Sequence, residues 1–401
     1  MQVAASPSIH LAYCQNIHPG ETWQDHYAAL RDKAVAVKEA LGADGPFGLG
    51  LRISAHAARE LKDPALIQQG QELFSQQQLY PFSINGFPFG KFHKGPVKEN
   101  VYAPDWRSPE RLEYTTQLAH TLAQWLPEGQ DGSISTVPGS FAPWIQTDAD
   151  RIAMATVLGS AAAEMAKLER QTGKYIHLGL EPEPDCFLET TQQTLSFFAQ
   201  TLPAGAIPEI RRQLSVSDSE AERLLRRHIG VCFDTCHVAL QYEDLATSLL
   251  AYQQAGILIS KIQLSAALRA PGGAPTYEAL QAFAEPTYLH QVKARTRTGE
   301  RIAWSDLPLA LTEILKHSDI EELRVHFHVP LFVAPKAPLE STSNALDQAF
   351  WGLVRTGISS HLEIETYTFD VLPAEVHPGD IIQSIVSEYR WVLAQMNQRP
   401  I

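Results

Sequence analysis

The segment that decides the fold is residues 229–237, with the sequence IGVCFDTCH. Its first five residues are apolar throughout, which is typical of a strand buried on both faces of a parallel sheet. The apolar run stops at Asp234, and His237 follows three residues later. An aspartate in this position can cap a following helix, or it can supply an oxygen ligand to a metal beside a histidine nitrogen. The segment therefore predicts a buried parallel strand that ends in a helix cap or a metal site.

Short apolar segments of the same kind recur along the chain, with amphipathic helical segments between most of them. We predict nine strands, at residues 9–15, 47–53, 80–85, 133–137, 175–181, 229–234, 258–264, 323–329 and 361–367. This alternation predicts an α/β fold, a (β/α)8 TIM barrel with long loop insertions at residues 86–110 and 266–356. One of the nine strands is then supernumerary. Because no linker or change of composition separates two parts, we expect residues 1–401 to form a single barrel domain.

Composition narrows the classes of function. The 32 basic and 45 acidic side chains give a formal net charge of −13, which repels phosphate backbones and argues against a nucleic-acid partner. The four cysteines form no Cys-x-x-Cys pair and are too few for a disulfide framework. No segment approaches the roughly 20 apolar residues that cross a bilayer, and the N-terminus does not resemble a signal peptide. We expect a cytoplasmic protein without membrane insertion.

Carboxylates follow two of the predicted strands, and the working residues of a barrel project from the C-terminal strand ends. Glu181 and Glu183 end one strand and are followed by prolines, so they are metal ligands or solvated loop carboxylates. Glu363 and Glu365 share a face of the last strand, where they belong to a metal site or a salt-bridged barrel layer. We prefer Glu181 and Glu365 as ligands. With Asp234 they predict an oxygen-rich site for a divalent metal: Mn, Mg, Co or Zn.

Two other segments carry candidate site residues. His326 and His328 share a face of their strand. They belong either to a metal or substrate site or to a hydrogen-bonded pair in an extra edge strand. The loop that begins at Asn85 is locally cationic in an acidic protein, and Lys91, Lys98 and Arg107 are its candidates for binding a phosphate or carboxylate. A solvated loop would explain the same residues.

Residues 230–237, GVCFDTCH, resemble the segment GVCLDTCH of endonuclease IV-type barrels. Those barrels belong to the xylose isomerase-like superfamily, together with ketose 3-epimerases and inosose dehydratases. The resemblance implies metal ligands at Glu181, Asp234 and Glu365, with His237 as a further ligand in the endonuclease branch. This chain has Gln263 where the family commonly has a histidine at the end of the seventh strand. Gln263 and Asn85 are therefore candidates for binding substrate. His326, His328 or His290 could supply the metal ligand that the family's histidine provides.

Four further motifs are similar to those of the metabolite-traffic protein EboE family. They are NIHPGE at 16–21, NGFP at 85–88, YAPDWR at 102–107 and EIETY at 363–367. The resemblance implies a sugar isomerase-like barrel encoded beside a prenyltransferase-like membrane protein, a sugar-phosphate cyclase-like enzyme and hydrolase-like proteins. Other proteins of such a metabolite-traffic cluster are thus candidate partners.

Three hypotheses for the function follow. The first is a metal-dependent isomerase or epimerase acting on a sugar, cyclitol or sugar phosphate in metabolite modification or traffic, with Glu181 and Glu365 as the catalytic bases that the resemblance implies. The second is a non-catalytic metabolite-binding or traffic protein on the same barrel, which Gln263 favours. The third is an endonuclease IV-like phosphodiesterase, which the Asp-Thr-Cys-His motif favours and the net charge of −13 opposes.

Overall fold

Strands and helices alternate through most of the computed structural model, which describes residues 1–90, 98–284, 288–366, 368 and 380–397. The strands are β1 (Gln2–Ala5), β2 (Ser8–Tyr13), β3 (Phe47–Arg52), β4 (Leu79–Asn85), β5 (Gly132–Thr136), β6 (Ile176–Leu180), β7 (Ile229–Asp234), β8 (Ile259–Leu264), β9 (Ala267–Pro271), β10 (Val292–Thr296), β11 (Arg301–Trp304), β12 (Ile320–His328), β13 (Glu340–Ser341) and β14 (His361–Ile364).

The α-helices vary in length from single turns to the long α6. They are α1 (Trp23–Ala29), α2 (Val35–Leu41), α3 (Ala55–Glu60), α4 (Pro64–Gln77), α5 (Pro109–Trp125), α6 (Asp148–Thr172), α7 (Thr191–Ser196), α8 (Leu202–Leu214), α9 (Asp218–His228), α10 (Thr235–Leu240), α11 (Leu245–Gln254), α12 (Ala274–Leu280), α13 (Leu307–Glu313), α14 (Gln348–Arg355) and α15 (Ile381–Asn397). None of the helices that the structure describes has the length and apolar character that would let it span a bilayer.

The main sheet has the strand order β1-β2-β14-β8-β7-β6-β5-β4-β3. From β2 to β3 every neighbouring pair is parallel, whereas β1 pairs antiparallel with β2. A parallel bridge joins the first and last of these strands, β2 and β3. It connects Cys14, the residue after β2, with Gly50 in β3. The eight parallel strands therefore form a barrel, and the predicted (β/α)8 architecture is confirmed.

Eight of the nine predicted strands form this barrel, and β7 has the predicted bounds, 229–234. The supernumerary strand is the one predicted at 323–329, which overlaps β12. It belongs to a second, five-stranded sheet with the order β11-β10-β12-β9-β13. All of its pairings are antiparallel. The segment expected as a long insertion at 266–356 thus contains an antiparallel sheet that the sequence analysis did not predict.

The local sequence around β7 explains how Asp234 reaches the end of its strand. α9 begins after Ser217, whose side chain accepts a hydrogen bond from the backbone N–H of Glu220. Its first turn is acidic and its last turn is basic, which complements the helix dipole. The helix passes directly into β7, whose six residues are all buried. The strand ends where the polar side chains begin.

The inserted sheet lies against the mouth of the barrel. β9 follows β8 after two residues, and the end of β12 pairs with the start of β9, His328 opposite Ala267. The backbone N–H of Val329 donates to the carbonyl of Ala266 at 2.9 Å. The C-terminal end of β12 is therefore held beside the end of the seventh barrel strand, and its histidines point to the same region as the carboxylates.

The C-terminal helix α15 carries a buried carboxyl group, Glu388, which is 1% exposed. Its Oε1 accepts hydrogen bonds from Thr366 Oγ1 at 2.6 Å and from the backbone N–H of Leu331 at 3.3 Å. Burial raises the pKa of Glu388 to about 7, although both hydrogen bonds act in the opposite direction. Because this pKa lies above the value in an unfolded chain, the group stabilises the fold when protonated, and that contribution is lost as the pH rises toward 7.

Glu388→Gln is therefore expected to stabilise the protein in a pH-dependent way. The amide oxygen can accept both hydrogen bonds, and the cost of a buried charge disappears. We expect the gain in unfolding free energy over the native protein to be about 1–2 kcal/mol larger at about pH 8 than at about pH 5.5. Urea unfolding at both values measures it. The exposed Glu72 provides the control, because Glu72→Gln should change little with pH; an equal gain at both pH values would contradict the prediction.

Candidate metal centre

Three carboxylates meet at the C-terminal edge of the barrel. Glu181 follows β6, Asp234 ends β7, and Glu365 follows β14. One oxygen of each lies within 4.8 Å of an oxygen of the other two. All three side chains are buried, with exposed fractions of 4%, 1% and 3%. Like charges buried at this separation repel each other, so the cluster requires a cation or protons.

Asp234 serves as a helix cap with only one of its oxygens. Oδ1 accepts hydrogen bonds from Ser265 Oγ at 2.6 Å, from the backbone N–H of Cys236 at 2.8 Å and from that of His237 at 3.2 Å. Oδ2 is buried and has no hydrogen-bond partner. The two roles that the sequence left open are thus compatible, because the cap occupies one oxygen and fixes the direction of the other.

The remaining two carboxylates have different surroundings. Glu181 Oε2 is buried without a hydrogen-bond partner. Glu365 instead is held by three side-chain amides: Oε1 accepts from Asn16 at 2.8 Å and from Asn85 at 2.9 Å, and Oε2 accepts from Gln263. The orphaned oxygens of Glu181 and Asp234 are positions where a bound cation would replace lost hydration.

Three histidines complete the cluster. Each directs Nδ1 at an oxygen: His237 at the carbonyl of Pro182 (3.0 Å), His326 at Oε1 of Gln291 (2.7 Å) and His328 at the carbonyl of Glu365 (2.7 Å). Carbonyl oxygens only accept, so Nδ1 carries the proton and Nε2 carries the lone pair. Nε2 of His237 lies 3.1 Å from Nε2 of His326. Two lone pairs at this distance also require a proton or a cation between them.

The carboxylates and the imidazoles of the centre have shifted pKa values. Burial raises the pKa of Glu181 well above its usual range, and the charge of Asp234 raises it further. Burial acts in the same direction on Asp234, but His237 and His328 outweigh it and lower the pKa of Asp234. Burial lowers the pKa of His237 to about 4. At neutral pH the centre therefore presents an ionised aspartate and neutral imidazoles, the forms that bind metals.

The donor set fits a divalent metal ion. Carboxylate oxygens from three strands and at least one imidazole nitrogen can converge on one point, since Asp234, His237 and His328 also place one ligand atom each within 4.8 Å of the others. Mixed oxygen and nitrogen ligands suit Mn, Co and Zn, and an oxygen-rich subset suits Mg. Hydrogen bonds to Oδ1 fix the direction of Oδ2 of Asp234, and hydrogen bonds at Nδ1 fix the orientation of the imidazole rings. Metal ligands in proteins are usually oriented by such contacts.

Comparisons with known proteins bear on the fold. Neither a protein-family model nor a curated protein sequence matches the chain. A solved structure titled a xylose isomerase-like TIM barrel protein from Mycobacterium smegmatis in complex with magnesium is similar, with a TM-score of 0.51, 11% identity and coverage of 97% of this chain and 96% of that chain. The fold is that of a xylose isomerase-like TIM barrel.

Two further solved structures have similar folds. One is the IolI protein with a bound zinc atom, at 11% identity, a TM-score of 0.48 and coverage of 97% of this chain and 98% of that chain. The other is an L-ribulose 3-epimerase, at 12% identity, a TM-score of 0.48 and coverage of 97% and 94%.

A cavity opens onto the centre of this xylose isomerase-like barrel. Beyond the centre itself, its wall consists of aromatic, aliphatic and amide side chains, one lysine and one glutamate. They are Asn16, Asn85, Phe87, Pro88, Lys98, Val101, Tyr102, Glu183, Tyr288 and Leu289.

The residues predicted to bind substrate have different positions. Asn85 and Gln263 both hold Glu365, and only Asn85 also lines the cavity. Lys98 lines the cavity, but Nζ donates to Asp306 at 2.6 Å and to the carbonyl of Tyr288 at 2.9 Å. The structure does not bring Arg107 to the cavity, because Asp105 and Asp150 hold its guanidinium at 2.7 and 3.0 Å. Lys91 lies outside the described residues.

A polar chain that the sequence analysis did not assign lies behind the histidines. Gln291 donates to Tyr102 Oη at 3.0 Å, and Tyr102 donates to Glu183 Oε1 at 2.9 Å. Gln291 also contacts His326, as described above. Burial raises the pKa of Glu183 to about 8. The sequence offered one signal for this polar chain, the second carboxylate after β6. It offered none for Gln291, which immediately precedes β10 of the unpredicted sheet.

Proposed function

We propose that this protein is a metal-dependent isomerase or epimerase of a sugar, a cyclitol or a phosphorylated form of either. One observation carries the proposal: two orphaned carboxylate oxygens, of Glu181 and Asp234, and the carboxylate of Glu365 converge beside a cavity. A cluster of carboxylates can both bind a divalent cation and transfer protons to and from a substrate. The residues that would hold the metal are Glu181, Asp234, Glu365 and His328, with His237 and His326 adjacent.

The chain's own residues would divide the work. A bound divalent cation would polarise the carbonyl and hydroxyl oxygens of a substrate. Burial raises the pKa values of Glu181 and Glu365. These two residues would exchange a proton with the substrate carbon that bears the hydroxyl group and is bonded to the carbonyl carbon. Asn16, Asn85 and Gln263 would fix the orientation of Glu365. His328, on the inserted strand β12, would take the place that Gln263 leaves on the seventh barrel strand.

A binding protein without catalysis is the second candidate, and the contacts of Glu365 favour it. Both of its oxygens already accept hydrogen bonds from amides, which stabilise the carboxylate and oppose its protonation during a reaction. We further propose, on the four motifs described above, that the chain is an EboE family protein that acts in metabolite modification or traffic beside the other proteins of its cluster.

Solvent-exchange measurements test the catalytic proposal. Metal-loaded protein incubated with ketoses and cyclitols in D2O is expected to place deuterium on carbon, detected by NMR or mass spectrometry. Glu181→Gln and Glu365→Gln should each slow the exchange by about 10²–10⁴-fold, the usual contribution of a general base. Metal content is measured on the same samples. Full metal occupancy with no deuterium in any substrate would overturn catalysis and leave the binding protein; nicking of abasic duplex DNA instead would indicate the phosphodiesterase.

A further inference from the structure

A second group of metal-ligand side chains lies at the opposite end of the barrel. Asp131 immediately precedes β5, His177 is the second residue of β6, and His361 is the first residue of β14. All three are therefore at N-terminal strand ends, far along their strands from the carboxylates at the mouth. This end of a barrel commonly serves stability, and its interior layers are mostly apolar. Two buried imidazoles around one carboxylate are an exception that calls for an explanation.

The separations within this group match a metal polyhedron. His177 Nε2 lies 3.2 Å from Asp131 Oδ2, and His361 Nε2 lies 3.4 Å from Asp131 Oδ1. One ligand atom from each of the three residues lies within 4.8 Å of the other two. Ligand atoms at zinc-bond lengths around a tetrahedral ion are about 3.3–3.5 Å apart. An ion could therefore enter with small side-chain adjustments.

The second nitrogen of each imidazole is already engaged. Nδ1 of His177 contacts Ser260 Oγ at 2.7 Å, and Nδ1 of His361 contacts Ser133 Oγ at 2.9 Å. A serine hydroxyl can accept the Nδ1 proton, which leaves the Nε2 lone pair for an ion. The ion would replace the present contacts of Nε2, which are Asp131 for both rings and also Gln130 Nε2, at 3.3 Å, for His361. Metal-bound histidines in proteins usually have such a partner on the other nitrogen. The two serines thus orient both rings toward one point.

Access and charge also suit an ion from solvent. The histidine side chains are 2% and 0% exposed, whereas the side chain of Asp131 is 30% exposed. Solvent reaches the group from the side of Asp131, where a water molecule could complete the coordination. Arg227, whose charge acts on His177, is held by both oxygens of Glu169.

We propose that Asp131, His177 and His361 form a zinc site that stabilises the closed barrel. Two imidazole nitrogens, a carboxylate oxygen and a water molecule are a common donor set for four-coordinate zinc. In the sheet, β6 and β14 are separated by β7 and β8. The ion would therefore connect two barrel strands that do not hydrogen-bond to each other. This site is independent of the centre at the mouth and does not rest on the function proposed for it.

The test uses a background that lacks the centre at the mouth. In the full-length Asp234→Asn variant, dialysis against Zn²⁺ followed by elemental analysis should give one zinc per chain. Asp131→Asn in the same background should give none, because it replaces the ligand oxygen with little change of shape. Zinc should also raise the thermal midpoint of Asp234→Asn and leave that of the double variant unchanged. Circular dichroism of both proteins without metal verifies that they are folded.

Cobalt provides a second readout of the same site. Co²⁺ added to Asp234→Asn should produce the strong visible absorption of a tetrahedral ion, and Asp131→Asn or His361→Gln should abolish it. Absence of bound zinc from the Asp234→Asn protein would overturn the proposal. Equal zinc in the single and double variants would also overturn it, because the ion would then reside elsewhere.

Discussion

Asp234→Asn is expected to weaken divalent-metal binding at the mouth of the barrel by more than about 100-fold while leaving the fold intact. Oδ1 of Asp234 accepts three hydrogen bonds, from Ser265 and from two backbone N–H groups. In the variant the amide oxygen must remain on that side to keep them. The amide NH₂ then replaces Oδ2, so that a donor points at the place where a cation would bind.

The same substitution should not destabilise the protein without metal. Asparagine caps helices about as well as aspartate. Removal of one charge from the cluster with Glu181 and Glu365 also relieves repulsion, so the thermal midpoint of the metal-free variant should equal or exceed that of the native protein. A destabilising fold defect would lower this midpoint, whereas loss of a ligand alone would not.

Calorimetric titration with Mn²⁺ and thermal unfolding with and without Mn²⁺ measure both effects. Mn²⁺ at 100 times its Kd should stabilise the native protein by about 2.7 kcal/mol, and most of this gain should be absent from the variant at the same concentration. Asp244→Asn is the matched control. Asp244 also caps a helix, α11, with its side chain, but it is exposed and remote from the cluster. Unchanged affinity in Asp234→Asn would contradict the assignment of Asp234 as a ligand.

The barrel could be predicted from sequence because its strands are signalled locally. Each parallel strand is buried on both faces, so it appears as a short apolar run that ends in polar or glycine residues. β7 is the clearest example, an apolar run ended by Asp234. The strand at 323–329 has the same signature, because β12 is also buried over most of its length. Local pattern therefore found a strand there but did not reveal to which sheet it belongs.

The inserted sheet was missed because the pairings of β9 are distant in sequence. β9 pairs with β12 across some fifty to sixty residues, and both strands lie in the segment 266–356 that the sequence predicts to be a loop insertion. One signal was available. β10 and β11 are alternating segments that flank Gly299, whose φ of 88° forms the turn between them.

The candidate centre could be predicted only where its residues belong to the barrel. Glu181, Asp234 and Glu365 end strands of the barrel, and strand ends of one direction meet at one edge. The sequence did not indicate which of His326, His328 and His290 replaces the ligand that is missing at Gln263. The reason is that the position of β12 depends on the unpredicted sheet. Arg107 was assigned to substrate although Asp105 precedes it by two residues, and that local pairing holds it away from the cavity.

Lys261→Met is expected to destabilise the protein by about 3–5 kcal/mol, because it breaks a buried ion pair in the barrel interior. Lys261 Nζ lies 3.1 Å from Glu363 Oε1 and 3.3 Å from Ser83 Oγ, and neither charged side chain is exposed. Burial alone would lower the pKa of Lys261, but Glu363 outweighs it and raises that pKa above its usual value. The variant leaves the carboxylate of Glu363 buried without its cation.

The cost should arise from the orphaned charge and not from the loss of a favourable pair. The free energy that two ions lose on dehydration is about equal to the free energy that they gain from their mutual attraction. Replacement of both partners by apolar residues is therefore often neutral. Lys261→Met/Glu363→Met should therefore recover most of the stability that Lys261→Met loses in urea unfolding. Lys62→Met, which breaks the exposed pair with Glu113, is the control and should cost less than about 1 kcal/mol. A double variant no more stable than Lys261→Met would show that the lysine contributes through packing or through Ser83, and the charge argument would fail.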